Sequence, residues 1–325
     1  MDHELRLRRR EEARRRTRRQ RRIALCALVL VGPLTLAIVA VRGAGGQSGP
    51  DGGEATSEKP RASPPQLPRG GRQILPDHRV VAFYGAPQND ELGALGIGSP
   101  GAAGRRLERQ ARAYARRGRP VLPAFELLAT IVHGSAGRDG DFSERQTPAV
   151  IERYLRAARR RKTLLILDIQ PGRSPFMREV RALRRWLEQP DVSLALDPEW
   201  SMRAGEVPGQ SIGGTDARTV NEVSSYLSRI VKQHDLPQKL LIVHRFTADM
   251  IENEHALRRH AGVALTVNVD GFGTAAQKRA KYREFTRGRR DRHHGFKLFY
   301  REDTNLMSPR QTLRLRPPPD LVVYE

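Results

Sequence analysis

Cysteine is nearly absent from this chain of 325 residues: the sequence has only Cys26, which lies within a run of apolar residues. Leu25 precedes it, where a lipid-attachment site would have a small residue. A disulfide bond, a cysteine-based zinc site and a cysteine nucleophile are therefore excluded from the region that follows this run. That region must be stabilised by its hydrophobic core.

Several motifs that identify common enzyme classes are also missing. The sequence contains no phosphate-binding P-loop, and its glycine-rich stretch "GALGIGSPG" (93–101) does not open a helix directly after a strand. It has no His-Glu-x-x-His, and the first predicted strand of the globular region carries no His-x-His. Neither a nucleotide-binding site nor a zinc site of the helix-borne type is predicted.

Acidic residues are scarce relative to basic ones. The chain has 36 Asp and Glu against 58 Lys and Arg, which gives a formal net charge of +22. Residues 1–22 hold eleven arginines and four acidic residues, so they contribute +7 and the rest of the chain contributes +15. A basic balance suits anionic partners such as nucleic acid, lipid headgroups or acidic cell-wall polymers.

The apolar run at 23–41 has no charged residue in nineteen positions, and as a helix it would extend about 28 Å, close to the thickness of a bilayer core. The arginines before it predict a cytoplasmic N-terminus and an extracytoplasmic remainder, by the positive-inside rule. We therefore interpret the arginine run as a topology signal rather than as a nucleic-acid arm. A cleaved signal peptide is the alternative, although its apolar core is usually shorter.

Residues 42–78 are rich in Gly, Pro, Ser and charge, and they predict a disordered linker. The globular region is then 79–325, a typical size for an α/β barrel. Its apolar runs predict eight strands, at 79–85, 120–128, 163–170, 192–200, 239–246, 263–273, 296–303 and 321–325. Helical patterns lie between them, near 105–117, 148–161, 175–188, 216–234, 247–260, 275–290 and 308–315.

The alternation of strands and helices predicts parallel pairing, and eight such units predict a (β/α)8, TIM-like barrel. An open, doubly wound sheet is the alternative. The segments from strand to helix are long, notably 86–104, 129–147 and 201–215, whereas those from helix to strand are short. In this fold the strand-to-helix loops surround the C-terminal face of the barrel, where active sites lie.

Polar residues collect at the predicted ends of these strands. Because residues two apart in a strand share a face, a closed barrel would bring them to one pocket. They are Tyr84, Glu126, Asp168, Gln170, Asp197, Glu199, His244, Asn268, Asp270, Tyr300 and Tyr324. Each could instead cap a loop or pair with an arginine, but five carboxylates at strand ends in so basic a chain favour a site.

The sharpest element is "DPEW" (197–200). Pro198 fixes the backbone between Asp197 and Glu199, so we expect both carboxylates to face the same cavity, where repulsion and burial would raise at least one pKa. A general acid needs such a raised pKa, and glycoside hydrolysis typically uses two carboxyl groups. Trp200 offers a flat face for a sugar ring, or packs at the rim.

This Asp-x-Glu at the end of the fourth strand resembles that of glycoside hydrolase barrels, particularly chitinase-like enzymes and barrel-type muramidases. The resemblance implies that Glu199 is the proton donor and that Asp197 assists it. Chitinase-like strands carry further acids upstream, where this chain has Val192 and Ala195. The region 79–325, with "LILDIQPG", "ALDPEW" and "VDGFG", also resembles a group of uncharacterised actinobacterial envelope proteins and lipoproteins.

The leading hypothesis is a membrane-anchored, glycosidase-like barrel that acts on an envelope or extracellular glycan without a cofactor or metal. Asp168 or Asp270 would supply a second carboxylate, and Gln170, Asn268 and Tyr300 would position the sugar. Two alternatives stay open. One is a metal-assisted hydrolase, of a phosphodiester for example, with His244, Asp168, Glu126 and Asp270 around a hard cation. The other is a barrel without catalysis that binds glycan or partners at the wall.

Overall fold

Eight parallel strands close into a barrel in the computed structural model, which describes residues 63–325. Each strand hydrogen-bonds to the next, and β1 pairs with both β2 and β8, which closes the ring. The strands are β1 (Arg79–Gly85), β2 (Val121–Val132), β3 (Leu164–Ile169), β4 (Val192–Leu196), β5 (Lys239–Arg245), β6 (Val263–Val269), β7 (His293–Leu298) and β8 (Leu321–Tyr324). The predicted TIM-like barrel is confirmed, and the open-sheet alternative is wrong.

Helices cover the outside of the barrel. They are α1 (Pro100–Arg112), α2 (Pro148–Arg160), α3 (Phe176–Ala182), α4 (Arg184–Leu187), α5 (Ala217–Gln233), α6 (Ala275–Thr286) and α7 (Pro309–Leu313). Caps define several of their starts: the Asp216 side chain accepts a hydrogen bond from the Thr219 amide at 2.7 Å, and Ser308 and Thr274 form capping boxes. Their apolar faces pack on the outward residues of the strands.

The helix expected at 247–260 is absent from the structure. A short strand (Ile251–Glu252) and a 3-10 turn (Glu254–Ala256) take its place. Asn253 has a φ of 53°, a left-handed conformation that interrupts a helix. Arg245 and Arg292 then bind the Glu254 carboxylate at 3.1 and 2.9 Å, so tertiary ion pairs override the helical pattern here.

The barrel interior is apolar in its lower half and charged in its upper half. Val80, Leu122, Leu164, Leu240 and Leu321 are buried near the starts of their strands and pack together inside the ring. The same inward alternation continues upward into the charged residues described below.

The segment before β1 packs against the lower mouth of the barrel. Leu67, Ile74 and Leu75 are buried in the interior cluster, and the amides of Ile74 and Leu75 donate to Oε1 of Gln238 at 2.8 and 2.9 Å. The compact unit therefore begins at Pro65 rather than at residue 79, and 65–78, predicted as part of the linker, belongs to it. Three large apolar side chains provide enough burial to order a Pro- and Gly-rich stretch.

Long connections lie at the carboxyl ends of the strands, at 86–99, 133–147 and 197–216, as expected. The second includes a short strand (Ser143–Arg145) that pairs with the end of β2 in the antiparallel direction. The predicted membrane span at 23–41 lies outside the described residues. Within 63–325, none of the helices combines the length and apolar character that crossing a membrane requires.

Candidate functional site

Charged and polar side chains fill the upper half of the barrel interior. Each strand or the residue after it contributes at least one, and nearly all are buried. They are Tyr84 (β1), Glu126 (β2), Asp168 (β3), Asp197 (after β4), His244 (β5), Asn268 and Asp270 (β6 and after), Lys297 (β7) and Glu325 (after β8). Ring closure therefore brings together residues from distant parts of the sequence, as the strand-end pattern predicted.

His244 lies at the centre of this group. Its Nε2 is 2.9 Å from Oε1 of Glu126, and its Nδ1 is 3.1 Å from Oδ2 of Asp270. Burial alone would lower the pKa of His244, but hydrogen bonds with Asp270 and Glu126 raise that pKa well above its ordinary value. The ring is therefore an imidazolium that donates a proton from each nitrogen to a carboxylate. Asn268 Nδ2 lies 3.3 Å from Nδ1 of the same ring.

Lys297 provides the second interior cation. Its Nζ lies 2.6 Å from Oε2 of Glu325 and 3.3 Å from Oδ2 of Asp270, and 3.7 Å from the ring centroid of Tyr84. Burial would raise the pKa of Asp270, but the charges of Lys297 and His244 lower it well below its ordinary value. Asp270 is therefore ionised and held between two cations.

Asp168 differs from Asp270 in its surroundings. Its side chain is 0% exposed, and neither of its carboxyl oxygens has a hydrogen-bond partner within residues 63–325. Burial is the largest effect on Asp168 and raises its pKa to about 8. The charge of His244 opposes this increase, and the charge of Asp197 adds to it by a smaller amount. The carboxyl group is therefore protonated at neutral pH, while Asp270 in the same interior is not.

Tyr84 connects the centre of the group to its upper edge. Its hydroxyl accepts a hydrogen bond from Nε2 of Gln170 at 3.0 Å and lies 3.5 Å from Oδ2 of Asp197. Its ring packs edge-on against His244, with centroids 5.9 Å apart. Gln170, predicted as a binding residue, is thus in direct contact with the group.

The Asp197–Glu199 pair is arranged differently from the prediction. β4 ends at Leu196, and Pro198–Trp200 forms a 3-10 turn rather than the end of a strand. Strand alternation therefore does not apply to Asp197 and Glu199, although both side chains are buried and Trp200 is half-buried. A backbone hydrogen bond from the following loop stabilises this turn: the Gly213 amide donates to the Glu199 carbonyl at 2.7 Å.

Two predicted site residues lie outside the barrel interior. Tyr324 points to the outer core, where its hydroxyl is 2.6 Å from that of Tyr114. Tyr300 follows β7, stacks on Tyr324 at 5.1 Å and is 42% exposed. The expectation that both tyrosines line the pocket is wrong. The inward positions of β7 and β8 are the odd-numbered ones, such as 297, 321 and 323, so that the even-numbered Tyr300 and Tyr324 lie on the outer side.

That same parity explains what the sequence reasoning missed. β7 begins at His293 rather than at 296, so Lys297 faces inward, and Glu325 follows Leu321 and Val323 on the inner face of β8. A signal was present: a lysine between Phe296 and Leu298 in an apolar run needs a buried partner or a solvent-exposed face. The ion pair with Glu325 supplies the partner.

A cation site is not favoured by this geometry. Both ring nitrogens of His244 contact carboxylates, and an imidazolium has no lone pair for a metal. Among residues 63–325, no group of three or more His, Cys, Asp or Glu side chains is arranged to hold a metal ion.

No protein-family model and no curated protein sequence matches the chain. The resemblances to glycoside hydrolase barrels and to actinobacterial envelope proteins therefore stay predictions.

Proposed function

We propose that this barrel is a glycosidase-like hydrolase that acts on an envelope or extracellular glycan through carboxylate acid–base chemistry. One observation carries the proposal. Asp168, at the carboxyl end of a barrel strand, is fully buried, lacks a hydrogen-bond partner among the described residues and has its pKa raised to about 8. Barrels of this architecture carry their catalytic residues at that end.

The contrast between Asp168 and Asp270 supports an acid–base division. A site that protonates a leaving group and stabilises positive charge needs one carboxyl that stays protonated and another that stays ionised near neutral pH. Asp168 meets the first requirement, because burial dominates its surroundings. Asp270 meets the second, because Lys297 and His244 flank it. In this proposal Asp168 shares with Glu199 the role of candidate proton donor.

The charge balance of the interior points the same way. Five carboxyl groups (Glu126, Asp168, Asp197, Asp270 and Glu325) face two cations, His244 and Lys297. Four carboxyl groups besides Asp168 therefore face the two cations. Glycoside hydrolysis passes through a transition state with oxocarbenium character, and a negative, water-poor site stabilises such positive charge.

The upper edge of the group offers contacts for a sugar. Gln170, Asp270 and Glu199 retain a few per cent exposure, whereas Asp168 and Glu126 have none. Trp200, half-buried beside Glu199, provides an aromatic face. We assign Gln170 and Asn268 to hydroxyl recognition and Trp200 to ring stacking.

The proposal includes a location. The uncharged run at 23–41 and the arginines before it support a single-pass anchor with a cytoplasmic N-terminus, an extracytoplasmic barrel and a linker from 42 to 64. Reporter fusions placed after residue 22 and after residue 325 test the orientation. A cytoplasmic signal from the second fusion would overturn it.

Release of reducing ends from envelope polysaccharide tests the chemistry. We expect Asp168→Asn and Glu199→Gln each to reduce release at least about 100-fold, the scale of general acid catalysis. Asp191→Asn is the matched control, because Asp191 is a buried carboxylate at the opposite end of β4, paired with Arg159 at 2.7 Å. If the wild type and both site variants release equal amounts, the barrel is not a hydrolase of that glycan.

A barrel without catalysis is the second candidate, and one observation favours it. His244, Lys297 and Asp270 satisfy one another closely, as a structural network would. In that case neither the wild type nor the site variants would release reducing ends, and the variants would change stability without changing glycan binding.

A further inference from the structure

A basic groove lies at the other end of the barrel from the candidate site. Its lining comes from the starts of strands: Arg79 opens β1, Arg119 precedes β2, His294 is near the start of β7 and Asp320 directly precedes β8. The end of α6 and the loop after it complete the wall, and the cavity has a volume of about 750 Å³. That volume is within the range of ordinary ligand sites, about 300–1,000 Å³.

The lining is almost entirely of one charge. Eight arginines and His294 line the groove, against one carboxylate, Asp320. Burial lowers the pKa of Arg79, and the charge of the nearby Arg119 lowers it further. A concave surface of one sign concentrates ions of the opposite sign.

Six of the eight groove arginines fall into two groups, and the other two are engaged locally: Arg289 binds Glu254 at 3.2 Å and Arg316 donates to the Leu315 carbonyl at 3.1 Å. Those on its floor are buried or half-buried and engaged: Arg79 donates to the Pro319 carbonyl at 3.0 Å, Arg119 binds Asp320 at 2.6 Å and Arg292 binds Glu254 at 2.9 Å. Those on its rim are exposed.

The rim group consists of Arg283, Arg287 and Arg290. Within residues 63–325, none of their side chains makes a hydrogen bond or ion pair with a protein group. These three exposed guanidinium groups therefore keep their N–H donors free for an anion that enters the groove.

We propose that this groove binds a chain-like polyanion that carries phosphate groups. Guanidinium groups bind phosphate oxygens in a bidentate manner, and three rim arginines can contact more than one phosphate of the same chain. A recessed floor favours a chain over a bilayer, because a flat lipid surface cannot enter the groove whereas a single phosphate of a polymer can. This inference does not depend on the proposed hydrolysis, which uses the opposite mouth.

Site-specific arginine modification tests the proposal in the full-length chain. The probe is long-chain inorganic polyphosphate, and the readout is the rate at which phenylglyoxal modifies each arginine, followed by mass spectrometry. We expect polyphosphate to slow modification of Arg283, Arg287 and Arg290 several-fold. The exposed arginines Arg105, Arg109 and Arg112 on α1 should react at unchanged rates. This local readout separates the groove from the arginine-rich segment at 1–22. Equal effects on both sets would overturn the proposal.

Binding measurements with matched triple variants provide the second arm. We expect Arg283→Gln/Arg287→Gln/Arg290→Gln to weaken polyphosphate binding at least tenfold. The slope of log affinity against log salt should fall by about 2, as counterion release predicts for three lost contacts. Arg105→Gln/Arg109→Gln/Arg112→Gln removes the same charge elsewhere and should change affinity less than twofold. Equal weakening by the two triples would overturn the proposal.

Two further probes distinguish the class of anion. Orthophosphate at equal total phosphate should protect the rim arginines far less than polyphosphate, because it contacts them one at a time. Phosphatidylglycerol vesicles at equal phosphate should not protect them. Equal protection by orthophosphate, or stronger protection by vesicles, would overturn the chain-like ligand in favour of a simple anion or a membrane surface.

Discussion

Nε2 of His244 lies 2.9 Å from Oε1 of Glu126, although 118 positions separate the two residues in the sequence. Both are buried, so neither charge is solvated by water. The contact exists because β2 and β5 face each other across the closed barrel. Closure of the parallel barrel therefore determines which charged side chains meet in the candidate site.

Replacing His244 by Gln should destabilise the fold strongly. Glutamine carries no charge and cannot donate to both carboxylates in this geometry, so a buried carboxylate is left without its cation. Breaking a buried ion pair from one side costs about 3–5 kcal/mol in the free energy of unfolding. His255→Gln, at an exposed position, is the control and should cost less than about 0.5 kcal/mol. Denaturant unfolding measures both, and similar costs for the two variants would contradict the network.

Lys297→Met should have a comparable effect for the opposite charge. Methionine fills most of the lysine volume but leaves Asp270 and Glu325 without their cation, 3.3 and 2.6 Å away. We expect a loss of about 3 kcal/mol and an upward shift in the pKa of Asp270. The exposed Lys232→Met is the control. A variant of Lys297 as stable as that control would show that the lysine is not required to neutralise the interior.

Much of this site was predictable, and the errors in β7 and β8 have one physical origin. In most strands the preceding apolar residues predict which positions face the barrel interior. The inward residues predicted in this way are Glu126, Asp168, His244, Asn268 and Asp270. In β7 and β8 the strand boundaries were misplaced or the parity was ambiguous.

A shift of one residue reverses the face of every side chain. This reversal explains why the sequence pattern predicts Tyr324 where Glu325 faces inward, and why it does not predict Lys297. The absent helix at 247–260 and the 3-10 turn at Pro198–Trp200 depend on tertiary contacts, which no local pattern contains.

Asp168→Asn should stabilise the protein increasingly as pH rises. The pKa of Asp168 is raised above its unfolded value to about 8, so between roughly pH 4 and pH 8 the folded chain binds a proton that the unfolded chain has released. Stability is therefore lost as pH rises through this window. Asparagine removes that loss, and we expect a gain of about 4 kcal/mol at pH 8 relative to pH 4.5. Thermal unfolding at the two pH values measures it, and a difference independent of pH would contradict the assignment.

The pH dependence of glycan release should also reflect the ionisation of Asp168. If Asp168 delivers the proton, kcat/KM falls on the alkaline side with an apparent pKa of about 8. Glu199→Gln should reduce the rate and leave the position of this limb unchanged. A limb that disappears in Glu199→Gln, with residual activity, would instead identify Glu199 as the proton donor.

Gly213→Ala should impair the turn that carries Glu199. A Cβ at this position would lie 2.2 Å from the Ser201 carbonyl oxygen and 2.6 Å from that of Pro198, so the 3-10 turn must move. We expect a loss of about 1–3 kcal/mol in stability, as for other overpacked positions, together with reduced glycan release. Gly101→Ala is the matched control, because a Cβ there meets no atom closer than 4.0 Å and alanine favours the start of α1. Because Glu199 and Trp200 both move with the turn, the loss of activity should exceed that expected from stability alone at a temperature where the variant stays folded. Full activity under those conditions would place substrate contacts away from this turn.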